Sequence, residues 1–345
     1  MRRALRFLAL TAVVAACGTD DPIAEEFSAL SRNVYVGADF TPILTAPTPA
    51  DLVAAVEVTY QTIIAANFPE RAGRLAAEIA AKGPDVVGLQ EITLVRTQSP
   101  GDAAVGGTTP AVDTLQDYLT LLLDSLAAQG ANYQVAAKIE NWDLEMPRPN
   151  GDDARLTDYD VILVRNGIPT SNVATGQYAT HLTIPLTTGQ FVDINRGWAA
   201  IDATIGTRTF RVVNTHLESD GVGVRLGQAV ELTDMLASET GPVLIIGDLN
   251  TDAIVGTDPT YPQFINAGYE DLWGGNMGTG LSCCHAPLLD NAASTLAERI
   301  DFVMTRNVTV ESVTGEVLGD EVADKTAGGL WPSDHGGVFV RVTIR

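Results

Sequence analysis

The stretch Val243-Leu244-Ile245-Ile246-Gly247-Asp248-Leu249-Asn250 decides the reading of this chain. Four unbroken apolar residues suit a short strand covered on both faces. An acid follows, and an amide two residues later. Side chains at i and i+2 of a strand share a face, so Asp248 and Asn250 are expected to point together. Buried singly, such groups would cost free energy without return. Gathered at one rim, they can share a metal, water and a substrate.

Other apolar runs end the same way. The run from Pro84 closes on Glu91, and the run from Arg208 closes on Asn214-Thr215-His216. Asp301 opens the run Ile300–Thr305, and Ser333-Asp334-His335 precedes the last one. Asn214 and His216 share a face by the same i, i+2 rule. Between these strands, residues 50–66, 69–82, 114–129 and 222–238 show helical spacing. In the second of these, Ala72, Leu75, Ala76 and Ile79 form the apolar stripe. Residues 99–113 and 141–158 read as loops, and Gly206-Thr207 as the turn of an antiparallel hairpin. Strand pairs with interspersed helices predict an α/β sandwich of mixed sheets.

The beginning reads as a targeting segment. Arg2, Arg3 and Arg6 precede a short apolar run that ends in Val14-Ala15-Ala16, with Cys17 next. That run is too short to span a bilayer and fits a secretory signal over residues 1–16. Small residues before a cysteine resemble a bacterial lipobox, with Cys17 as the lipidated residue. Residues 17–30 read as an acidic tether, and residues 31–345 as one catalytic domain. The expected setting is the bacterial cell envelope or surface, with membrane attachment through Cys17 and a monomeric chain.

Composition narrows the partners. The 345 residues are 46% hydrophobic and 19% charged, with a formal net charge of −22. Removing residues 1–16 removes three arginines and takes the charge to near −25. Such a surface repels phosphate backbones, which favours a small or lipid phosphoester over nucleic acid. The nearest candidates for a membrane contact, Trp142 and Met146, lie among acids. Beyond Cys17 only Cys283 and Cys284 remain, and a vicinal disulfide and two free thiols are both compatible with the sequence. Cys283-Cys284-His285 is a poor metal site, because three consecutive residues cannot wrap a tetrahedral ion.

Together Asn33, GLQE (88–91), NTHL (214–217), GDLN (247–250), RIDFV (299–303) and SDH (333–335) resemble the endonuclease/exonuclease/phosphatase superfamily, with its DNase I-like fold. Ser31–Phe40 resembles the opening of a bacterial secreted subgroup of it. The resemblance implies a four-layered α/β sandwich, two mixed sheets face to face with helices outside. It also implies hydrolysis of phosphoester bonds with a divalent metal, Mg²⁺, with Mn²⁺ or Ca²⁺ as alternatives. Carried over, it makes Glu91 the main metal ligand, Asn33 its neighbour on metal or water, and Asp334 and Asp301 metal-side or histidine-orienting acids. Asp248 would orient or deprotonate the attacking water, and Asn250 would bind phosphate. His335 would contact the phosphate, and His216 would stabilise phosphate or leaving group. Related enzymes often pair the equivalent of His216 with an acid, and Asp160 is preferred here over Asp158. Adjacent side chains diverge, so Asp301 is the expected partner of His335 rather than Asp334. Arg196 is a candidate phosphate contact. The reading is a secreted phosphodiesterase or phosphatase, with a DNA/RNA endonuclease or an inactive surface binding module as alternatives.

Overall fold

The computed structural model describes residues 24–274 and 277–345. The proposed signal and Cys17 lie outside the described residues. In chain order the strands are β1 Glu25–Asn33, β2 Val86–Gln98, β3 Asp113–Asp117, β4 Tyr133–Pro147, β5 Asp153–Arg165, β6 Thr170–Gln177, β7 Leu182–Pro185, β8 Phe191–Ile194, β9 Gly197–Ile205, β10 Arg208–His216, β11 Val243–Asp248, β12 Glu270–Asp271, β13 Asp301–Arg306, β14 Val310–Leu318 and β15 Gly337–Ile344. The helices are α1 Thr41–Leu44, α2 Pro49–Ala65, α3 Phe68–Lys82, α4 Tyr118–Ala128, α5 Val222–Leu236 and α6 Thr260–Asn266.

One sheet runs β14-β15-β1-β2-β5-β4, with β3 added to the edge of β2; the other runs β12-β13-β11-β10-β9-β6. Both are mixed: β1 pairs parallel with β2, and β10 parallel with β11, while the other neighbours are antiparallel. The two sheets pack face to face. Phe27 and Ala29 of β1, Ile162 and Val164 of β5, and Val338 and Val340 of β15 meet Val212 of β10, Leu244 and Ile246 of β11 and Val303 of β13. The opposite faces are covered by helices. Val87 and Leu89 pack with Leu75 and Ile79 of α3 and Leu122 of α4. Val243 and Ile245 pack with Leu232 of α5 and Phe264 of α6. The result is the expected four-layered sandwich. It also explains the unbroken run at 243–246: alternate residues of β11 serve two different cores, so none can be polar.

Three local expectations change. The domain begins earlier than residue 31, because Glu25–Ser31 already pair with β15 and Ala29–Asn33 with β2. Phe27, Ala29 and Leu30 supply buried side chains to both faces, so that part of the expected tether is sheet core. Residues 141–158 are not a loop but most of the β4–β5 hairpin, joined by a turn around Asn150-Gly151. Their acids are compatible with strand structure because partners sit across the pair, as in Arg155 with Asp143 at 2.6 Å. Trp142 and Met146 lie within β4, where Trp142 packs edge-on against Phe40 and Met146 is buried, so they form no protruding membrane loop. Finally, Asp113–Asp117 is an edge strand, and the helix expected from 114 starts at Tyr118. Asp117 caps it by accepting from the Thr120 N–H at 3.1 Å.

One polar side chain ties the two sheets together. Asn214 of β10 is fully buried and donates to the Leu89 and Val161 carbonyls at 2.9 and 3.0 Å. Its oxygen accepts from Gln90 Nε2 at 2.6 Å. Gly88 makes the approach close enough: a Cβ there would lie 2.5 Å from Ile246 Cγ2 and 2.6 Å from Asn214 Oδ1. Truncating Asn214 leaves buried carbonyl and amide groups without partners, at about 1–3 kcal/mol for each such loss. With three such partners, Asn214→Ala should lower the urea unfolding free energy by at least about 3 kcal/mol while leaving the far-ultraviolet circular dichroism unchanged.

Candidate active site

The site grows out of the faces that form the inter-sheet core. Along β1 the inward residues are Phe27, Ala29, Ser31 and Asn33; along β10 they are Phe210, Val212, Asn214 and His216; along β11 they are Leu244, Ile246 and Asp248. Each series is apolar at one end and polar at the other. In register, His216 pairs with Asp248 and Asp248 with Asp301, so three polar groups lie side by side on neighbouring strands. Alternation would send Glu91 to the helix side with Val87 and Leu89. A β-bulge between Leu89 and Ile92 and a left-handed backbone at Glu91, with φ of 60°, turn it back towards the rim. Tyr35 and Asn250 are also left-handed, at 66° and 49°. Such conformations cost about 1–3 kcal/mol each and cluster at functional sites.

Asp248 is the hub. It is buried, and its Oδ2 accepts from Asn33 Nδ2 at 3.1 Å and lies 3.5 Å from His216 Nε2 and 3.8 Å from His335 Nε2. Asn33 Nδ2 also donates to Glu91 Oε1 at 3.0 Å, and Glu91 Oε2 accepts from the Val36 N–H at 2.5 Å. Asn33 Oδ1 accepts from the Tyr35 N–H at 2.9 Å, which fixes the amide orientation. Asn33 therefore turns a donor, not its oxygen, towards the carboxylates. It holds Glu91 and Asp248 in place.

The two histidines are set in opposite states. His335 Nδ1 donates to Asp301 Oδ2 at 2.8 Å. Burial works against its charge, but Asp301, Asp334 and Asp248 together hold it protonated well above its usual range. For His216, burial together with the charges of Arg196 and His335 pushes the pKa well below its usual range. Arg196 Nη1 donates to His216 Nδ1 at 3.0 Å, leaving the proton of the neutral ring on Nε2. This corrects the expected acid partner. Both oxygens of Asp160 lack hydrogen-bond partners among the described residues, and burial and Asp158 raise its pKa well above the usual carboxylate value. Asp158 accepts from Asn141 at 2.9 Å. The buried Arg196 lies near both and 3.7 Å from Glu218, the acid that most favours its charge.

Asn250 departs from the i, i+2 expectation because β11 ends at Asp248. Its N–H donates to Asp248 Oδ1 at 2.9 Å and its Nδ2 to the Leu217 carbonyl at 2.9 Å. It buttresses Asp248, with one amide hydrogen left for a ligand. Asp334 sits half-buried at the mouth, where burial and Glu91 raise its pKa to about 6. Burial and Asp301 raise that of Asp248 to about 7.

Two arginines that carried no signal in the sequence hold the rim. Fully buried Arg71 of α3 donates to the carbonyls of Val34, Tyr35 and Pro332 at 2.7, 3.2 and 2.9 Å. Buried Arg32 donates to the His335 carbonyl and pairs with Glu78 at 3.0 Å. The segments after Asn33 and before His335 are thus tied to one helix.

The donor set fits a hard dication. Ligand atoms of Asp248, Asp301 and His335 lie within 4.8 Å of one another, with the two acids directly opposite each other across a strand pair, and Glu91 is joined to Asp248 through the shared Asn33 amide. Like charges so placed are destabilising. Asp301 Oδ1 is buried without a partner among the described residues. Oxygen ligands at half-buried Glu91 and Asp334 suit Mg²⁺ or Ca²⁺.

Residues 61–335 match the model of the Endonuclease/Exonuclease/phosphatase family. The chain belongs to that family of phosphoester hydrolases. Asn33 lies ahead of the matched span. The fold is shared with an endonuclease/exonuclease/phosphatase from Beutenbergia cavernae at 17% identity and TM-score 0.56, covering 93% of this chain and 72% of that one. A family protein from Leptotrichia buccalis is 15% identical, with TM-score 0.55 and coverage of 92% and 99%. D. rerio TDP2, complexed with a single-strand DNA product, is 17% identical, with TM-score 0.53 and coverage of 93% and 99%. No curated protein matches the chain.

Burial, Arg196 and His335 together keep His216 neutral. Arg196→Met removes one of the three, so the His216 pKa should rise but stay below about 6.5, since burial persists. Histidine-resolved NMR titration reads this directly. An unmoved pKa would mean that the guanidinium does not govern the ring.

Proposed function

We propose that the chain is a cell-envelope, metal-dependent phosphodiesterase or phosphatase acting on a small or lipid phosphoester. The observation that carries the reading is Asp248, a buried carboxylate shared by Asn33, His216 and His335 beside the half-buried acids Glu91 and Asp334. When bound, a divalent metal would neutralise phosphate charge and favour attack by water. Glu91 and Asp334 would hold it, with Asp301 within reach of the same cluster. Asp248 is placed to take the proton of an attacking water. Protonated His335 and the Nε2–H of His216 are placed to donate to phosphate or leaving-group oxygens, where charge grows in the transition state.

Substrate class is argued from the neighbouring space. A cavity of about 180 Å³ borders Glu91 and Arg196 and is walled by Phe40, Trp142, Leu182 and Ile184. Asp39, Asp158, Glu218 and Asp220 also line it. A run of flanking phosphates would meet carboxylates there, whereas an apolar substituent would meet aromatic and aliphatic side chains. With the charge of −22, this favours a small or lipid ester over nucleic acid. No helix among the described residues is long and apolar enough to cross a membrane. Attachment through lipidated Cys17, with a monomeric domain outside the bilayer, accords with the N-terminal residues.

Hydrolysis of bis-p-nitrophenyl phosphate with Mg²⁺ or Mn²⁺ should be abolished by EDTA and restored by added metal. Glu91→Ala should weaken metal affinity and lower the rate together. His335→Ala and Asp248→Asn should each cost about 10²–10⁴-fold in kcat. A folded Asp248→Asn protein with normal turnover would refute its role. A wild-type chain inert towards a panel of DNA, RNA, sphingomyelin, phosphoinositides and sugar phosphates would favour a binding module, and preference for DNA or RNA would replace the substrate class proposed.

A further inference from the structure

Cys283 and Cys284 are joined by a disulfide that has no part in the chemistry above. Their position is nevertheless specific. Buried Cys283 forms backbone bridges with Glu298 and with His335. Cys284 is exposed, and its Sγ lies 3.9 Å from His335 Nε2. His335 Nδ1 is occupied by Asp301, so Nε2 is the atom that faces both the sulfur and the reaction site. His285, the sequence neighbour, is elsewhere: its ring stacks on Trp331 at 4.1 Å. One donor atom from each of Cys283, Cys284 and His335 falls within 4.8 Å of the others. Two adjacent residues alone cannot wrap an ion. A histidine brought from a separate segment removes that objection.

We propose that reduction of this disulfide creates a site for a soft divalent cation, with Zn²⁺ as its representative, and that filling the site silences His335. The reductant is a dithiol. It supplies two electrons and two protons, the Cys283–Cys284 bond breaks, two thiols form, and the dithiol closes to its own disulfide. Cation binding then releases both thiol protons and the Nε2 proton to solvent, leaving two thiolates and an imidazole as ligands. With Zn–S near 2.3 Å and Zn–N near 2.0–2.1 Å, tetrahedral ligands lie roughly 3.6 Å apart, close to the 3.9 Å observed between Cys284 Sγ and His335 Nε2. The bonded sulfurs are neutral and ligate poorly, because the thiolate is the metal ligand. Thiolate and imidazole select Zn²⁺, whereas the oxygen cluster a few ångströms away suits Mg²⁺. The two sites therefore sort cations by softness, and the soft one removes the phosphate donor of the hard one.

The loss of turnover rests on the hydrolase reading, but the cation binding does not. The test uses the whole protein in excess Mg²⁺, oxidised or reduced, with the two thiols titrated. Co²⁺ is the spectroscopic probe. Reduced protein should show a sulfur-to-cobalt charge-transfer band that saturates near one equivalent, and oxidised protein should show none. In the chromogenic diester assay, reduced protein should be more sensitive to Zn²⁺ than oxidised protein by on the order of 10–100-fold. Cys284→Ser changes an exposed residue. It should keep the Mg²⁺-supported rate, lose the heightened zinc sensitivity and weaken the band. Absence of the band from reduced protein, or equal zinc sensitivity in both redox forms, would overturn the proposal. A band without hydrolysis in either form would leave the cation site standing and refute the hydrolase reading.

Discussion

Everything at the rim depends on two sheets held face to face. The inter-sheet core fixes which way β1, β5, β10, β11 and β13 present their residues, and the polar ends inherit that orientation. If β11 slipped by one residue, Asp248 would point into the α5 side and Leu249 into the site. Asn214 and Gly88 guard against such a slip. The amide needs particular carbonyls on the opposite sheet, and the glycine leaves no room for a shifted side chain. The functional geometry is thus a by-product of register, set several residues below the reacting groups.

The cluster is expensive to bury, and its neighbours show how the cost is met. A carboxylate stripped of water loses several kcal/mol unless it is paired. Asp248 is surrounded by an amide, a backbone N–H and two imidazoles. Asp301 has His335 on one oxygen, and Arg196 has four acids near it. The opposite states of the two histidines follow from these assignments. Three carboxylates surround His335, while His216 faces a guanidinium. In the proposed reaction one ring would carry charge to the phosphate and the other would offer a neutral donor. A single site thereby holds two imidazoles 3.5 and 3.8 Å from one carboxylate without placing two cations side by side.

The order of strands and the polar ends were legible because apolar periodicity and burial are properties of the local sequence. Val243–Ile246 and the stripe of α3 could be read directly. What was not legible depended on partners across space. Glu91 reaches the rim through a bulge, which alternation hides. Asn250 looked like a strand residue but has left-handed geometry after the strand has ended. Residues 141–158 looked like a loop because acids and prolines suppress strand propensity, yet paired arginines on the facing strand supply what local composition lacks. Arg71 and Arg32 gave no signal, since an arginine that clamps carbonyls is indistinguishable in sequence from one on a solvated face.

The substitution of an arginine for an acid beside His216 has a further consequence. An acid at Nδ1 would draw the ring towards imidazolium and suit it to donate a proton outright. Arg196 does the reverse, because a guanidinium is only a donor and demands a lone pair from Nδ1. His216 can then donate a hydrogen bond from Nε2 but resists taking a second proton. In the proposed hydrolysis this would restrict proton delivery to His335 and leave His216 to orient oxygen, a division of labour imposed by Arg196 rather than by either histidine. Asp158 and Asp160 flank the guanidinium instead of the ring.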